Sequence, residues 1–92
     1  MSESQLQHGL EKLRLLAAEF RIGPMDHERM GFPLLDGKQV RAWVSEEILS
    51  DLPATPELEP VLREGVEATR REIRGDTGRV VLITTTGPKY ES

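Results

Sequence analysis

The chain has no cysteine. That excludes disulfides, thiolate nucleophiles and every structural zinc site that uses sulfur, and it accords with a reducing compartment. Aromatic residues are nearly as scarce, only Phe20, Phe32, Trp43 and Tyr90. The interior of this 37% hydrophobic sequence must therefore be built from Leu, Val, Ile and Ala. No apolar run approaches the roughly 20 residues that cross a bilayer, and the N-terminus is polar and periodic, without the basic-then-apolar order of a secretory leader. The expected location is the cytoplasm, and no membrane contact is expected. At 92 residues the chain has the size of one domain (1–92); a domain this small buries only somewhat more than ~60% of its unfolded surface, which leaves a thin core. A net charge of −4 argues against binding nucleic acid with the whole surface.

What is present is periodic. Leu6, Leu10, Leu13, Ala17 and Phe20 follow the spacing of one helix face and predict an amphipathic helix over 4–21, capped by Ser4 or Ser2 and stopped by Gly23-Pro24. Asp36-Gly37 between two apolar runs predicts a hairpin with a type I′ turn, its first strand short because Pro33 has no N–H to donate. In the second strand Val40, Ala42 and Val44 alternate with Arg41 and Trp43. Ser45 followed by two glutamates reads as the N-cap of a short helix that Pro53 ends. A long helix then carries Leu58, Val61, Leu62, Val66, Thr69 and Ile73 on one stripe, with Gly75 at its C-cap. Arg79 to Thr86 reads as a strand apolar on both faces, and Gly87-Pro88 as its end. The order predicts an α+β fold: an N-terminal helix, a core over 32–86 with a three-stranded sheet packed on helices, and a mobile tail over 87–92.

The run VRAWVSEEILSDL, the long helix after it and then GRVVLI resemble a family of short bacterial proteins known only as a domain of unknown function, number 1488. The resemblance covers roughly residues 32 to 84 and leaves out the N-terminal helix. It implies a small bacterial α+β fold and no known activity, so it assigns no residue a role.

The candidate chemistry is sparse. Asp26-His27-Glu28 puts two carboxylates beside an imidazole, which suggests a metal site or an acid–base pair. Consecutive residues cannot all converge on one point, however, and the only other histidine, His8, lies on the first helix without a metal-binding spacing. The loop is expected to be a connector, with no metal and no cofactor. TTTGPK lacks the glycine spacing of a phosphate loop, and Ser45 is accounted for as a cap, so no enzyme is expected. Arg70, Arg71 and Arg74, joined by Arg79, form a basic helix end that could grip phosphate, although they also suit the helix dipole and pairing with Glu67. Upstream, seven acidic residues from Glu46 to Glu67 face Arg63 alone. Trp43 and Arg41 share one face of their strand, where they either meet the first helix or remain open as an anchor for a partner. Leu6, Leu10 and Leu13 either pack onto the sheet or pair with a second copy in a homodimer. The expected function is therefore a non-catalytic module that binds another protein or itself through these residues. The alternative is a nucleic-acid-associated regulator using the arginine-rich helix end.

Overall fold

The computed structural model describes residues 3–91. Its elements are α1 (Glu3–Leu16), β1 (Arg21–Ile22), β2 (Gly31–Asp36), β3 (Gln39–Ser45), α2 (Glu46–Asp51), α3 (Leu58–Arg74), β4 (Val80–Thr84) and β5 (Gly87–Glu91). The class is α+β as expected, but the sheet has five strands in the order β1-β2-β3-β4-β5 rather than three. Neighbours run antiparallel except β3 and β4, which are parallel because α2 and α3 carry the chain back between them.

Both extra strands replace something expected to be different. The first helix stops at Leu16, not at residue 21: Phe20 N–H donates to Ala17 O in a tight turn, and Arg21 and Ile22 pair with Leu35 and Leu34. Ser4 lies inside the helix, while Ser2, the other proposed cap, falls outside the described residues, as does Ser92. The expected tail folds back as β5, with Thr84 opposite Gly87 and Val80 opposite Glu91. Thr85 and Thr86 form its turn, in which the Thr84 hydroxyl donates to Gly87 O and accepts from Thr86 N–H. Gly-Pro reads as a terminator, yet proline is tolerated on an edge strand, and β5 is one.

In the β2–β3 hairpin Asp36 pairs with Gln39, so the turn residues are Gly37 and Lys38. Only Gly37 has a positive φ, +65°, the pattern of a type II′ turn and not the type I′ turn expected with Asp36-Gly37 at its centre. Leu34 pairs with Ala42 but Leu35 with Val40, leaving Arg41 as the extra residue of a bulge. Ser45 caps α2 as its position predicts, its Oγ accepting from Glu47 N–H at 3.1 Å. Gly75 is the C-cap of α3, but the left-handed residue is Asp76, φ +49°.

All three helices share one core with alternate residues of the sheet. Leu10, Leu13, Ala17, Ile48, Leu49, Leu62 and Val66 pack with Phe32, Leu34, Ala42, Val44, Val81 and Ile83. Two glycines set the distances. A Cβ on Gly9 would stand 2.0 Å from Leu49 O, so α1 meets α2 backbone to backbone. A Cβ on Gly65 would stand 2.5 Å from Ile83 Cγ2, which seats α3 on β4.

Candidate functional site

Partners in a ladder point to the same face of a sheet. Phe32, Val44 and Ile83 are in register, as are Leu34, Ala42 and Val81, and all face the helices. The intervening row crosses four strands on the other face: Pro33 opposite Trp43, Trp43 opposite Leu82, Leu82 opposite Lys89. Leu35 with Val40, and Val80 with Glu91, flank it. Leu35, Val40, Trp43, Val80 and Leu82 are half-buried, and none belongs to the core cluster or packs against it. The bulge at Arg41 is what moves Val40 out of the core-facing alternation expected for it.

Trp43 lies at the centre of this face, half-buried by its neighbours and not by α1. The guanidinium of Arg29 sits 4.8 Å from the ring centroid, and its Nη2 donates to Glu91 Oε1 at 3.2 Å. A cleft of about 290 Å³ opens beside the ring, lined by Arg29, Gly31, Trp43, Ser45, Leu82 and Thr84. Arg41 lies opposite Leu35 at the bulge and is only 8% exposed. Its Nη1 donates to Gln39 Oε1 at 3.4 Å, while Nη2 is shielded from water and has no hydrogen-bond partner.

The Asp26-His27-Glu28 loop is a closed turn. Asp26 and Gly31 exchange backbone hydrogen bonds, the Asp26 carboxylate accepts from the N–H groups of Glu28 and Arg29, and Met30 takes a left-handed φ of +52°. His27 and Glu28 project into solvent. His8 lines a separate cleft of about 450 Å³ with Lys12, Leu52, Pro53, Pro56 and Glu59. There the Lys12 ammonium already pairs with Glu59 at 2.6 Å, which holds that carboxyl below its usual range. Among the described residues no three His, Asp or Glu side chains are placed to hold a metal ion. The loop's visible effect is to place Arg29 over Trp43.

The basic helix end is largely occupied. Arg70 binds Glu19 at 2.6 Å, Glu67 and the Leu16 carbonyl, which fastens the end of α1 to α3 and raises the arginine's pKa, chiefly through Glu19. Arg71 pairs with Glu64 at 2.8 Å. Arg79 holds both carboxylate oxygens of Glu72, at 2.7 and 3.0 Å, and covers the Tyr90 ring. Glu72 is 7% exposed, and the Thr77 hydroxyl followed by Arg79 keeps its carboxyl below the ordinary glutamate range. Arg74 has no ion pair among the described residues.

Of the proposed leucines, Leu10 and Leu13 are buried in the core of the single chain and Leu6 packs against it, so none of the three is a free surface for pairing with a second copy. The structure therefore places Trp43 on the helix-free face and Arg41, buried, at the bulge two residues before it, apart from the leucines. Sequence reading missed Arg29, Leu82 and Lys89. Leu82 was legible as half of a two-faced apolar strand; Arg29 carried no signal, because only the turn geometry brings it to the ring. No family model matches the chain, and comparison with curated proteins and with solved structures finds no match either, so the functional reading rests on this geometry.

Proposed function

We propose that the protein is a small non-catalytic interaction module that docks another protein on the helix-free face of its sheet. The observation that carries this reading is the pair Trp43 and Leu82, half-buried neighbours across two strands beside the buried Pro33, on the face that the helices do not cover. Contiguous apolar surface left facing water marks interaction sites more often than it marks inert surface. Tryptophan and arginine are also the side chains that most often dominate binding energy, and here Arg29 lies over Trp43. The nucleic-acid alternative draws less support, since Arg70, Arg71 and Arg79 already hold carboxylates.

The test is affinity capture from the native host's lysate with the wild-type chain and with Leu82→Glu, after circular dichroism has established that both fold. A protein held by the wild type and lost by Leu82→Glu supports the reading. Recovery of the same proteins by both would reject it.

A further inference from the structure

We infer that the free edge of β5 is closed to a second copy of this chain, and that Pro88 and Lys89 close it. An outermost strand offers a row of unpaired backbone groups on which another chain can extend the sheet. Here the outermost strands are β1 and β5. β1 is only two residues long, Arg21 and Ile22, which leaves little to pair with. β5 runs from Gly87 to Glu91, and Lys89, Tyr90 and Glu91 are exposed. It is the edge on which self-association has to be prevented.

The register decides which backbone groups face outward. Thr84 and Gly87 close the hairpin across the turn at Thr85 and Thr86, so they form a hydrogen-bonded pair, and along an antiparallel ladder such pairs alternate with pairs that exchange no bonds. Leu82 with Lys89 and Val80 with Glu91 are then bonded pairs, while Pro88 and Tyr90 turn their backbone groups away from β4. The proline fits this phase, since the opposite one would leave the carbonyl of Ile83 without its donor inside the sheet. The open edge thus offers the carbonyls of Pro88 and Tyr90 and the N–H of Tyr90, but no N–H at residue 88.

Two copies paired along the whole of β5 run antiparallel about a two-fold axis, which sets Lys89 opposite Lys89 and Pro88 opposite Tyr90 on each side of it. An ordinary residue at 88 would both give and accept a bond with Tyr90; proline only accepts, and symmetry repeats the loss. The central lysines meet as like charges in a closely spaced pair. A strand of another protein meets Pro88 once, and nothing fixes a lysine opposite Lys89. The edge is therefore selective against self.

The test compares the full wild-type chain with Pro88→Val, with Pro88→Thr as a second strand-forming replacement, by sedimentation and by amide hydrogen exchange, after circular dichroism has established that each folds. In the wild type the Lys89 N–H is expected to be protected and the Tyr90 N–H to exchange freely at every concentration. Either replacement of Pro88 should tighten self-association about tenfold or more and slow exchange at Tyr90 as concentration rises. An equal mixture of Pro88→Val and the double variant Pro88→Val, Lys89→Glu should associate more tightly than either alone, because lysine then meets glutamate across the axis. Concentration-dependent protection of Tyr90 in the wild type would overturn the inference. So would variants at Pro88 that associate no better than the wild type. A mixture that associates no better than its components would overturn the part assigned to Lys89.

Discussion

The two faces of the sheet are made from the same strands, yet they differ in what meets them: the three helices cover one, and Trp43, Leu82 and Lys89 lie on the other. On the helix side Gly9 and Gly65 let backbone approach backbone and side chain, Thr69 Oγ1 donates to Gly65 O, and Glu72 is held by Thr77 and Arg79, while the buried Ser50 Oγ has no hydrogen-bond partner. On the other side Trp43 and Leu82 are only half-buried while Pro33 is buried; at the bulge, Arg41 is buried with a donor unused. Coverage separates the two: the helices seal one face and leave the other without a helix.

Changes on the helix side should break the fold. Gly9→Ala drives a methyl group into the Leu49 carbonyl, a backbone atom that cannot step aside, and is expected to cost about 3 kcal/mol or more in urea denaturation. Gly65→Ala meets only the Ile83 side chain, which can rotate, so its cost should be smaller, about 1–2 kcal/mol. Changes on the open side should leave folding nearly intact. Arg41→Met removes an uncompensated buried charge and is expected to stabilise the chain by about 1 kcal/mol, read as a rise in the unfolding midpoint. A fall in the unfolding midpoint would instead make Arg41 a structural residue.

Acid should act on the helix side. The Glu72 carboxyl sits below its ordinary range through Thr77 and Arg79, so the folded state prefers it ionised. Its contribution is complete above the unfolded value, about 4.3, and is lost as pH falls through the lower folded value. Glu72→Gln should therefore be weaker than the wild type at neutral pH, with the difference closing in acid, as thermal melts across pH 3 to 7 would read. A difference that persists unchanged in acid would mean that the side chain acts by packing and not by charge.

Local patterns were legible in the sequence and non-local pairing was not. Ser45 could be read as a cap, the stripe on α3 as a helix and the alternation around Trp43 as a two-faced strand, because each depends on residues a few positions apart. Arg21–Ile22 and Gly87–Glu91 are strands only because β2 and β4 offer them edges, and their own residues argue weakly for it. The bulge that leaves Arg41 extra depends on how two strands are aligned, which neither strand encodes alone. Of the candidate residues, Trp43 and Arg41 were therefore readable. Arg29, Leu82 and Lys89 needed the completed sheet.

The parallel contact between β3 and β4 also sets an order of assembly. The β2–β3 and β4–β5 hairpins each close over a two-residue turn, whereas Ala42 reaches Val81 only after both intervening helices have formed a return path. Long loops close slowly, so the two hairpins should mature separately and join last along that seam. Trp43 stands on the seam, opposite Leu82. In a stopped-flow refolding experiment its emission should therefore lag behind the far-ultraviolet helical signal, so that the open face becomes available only once the chain is otherwise folded.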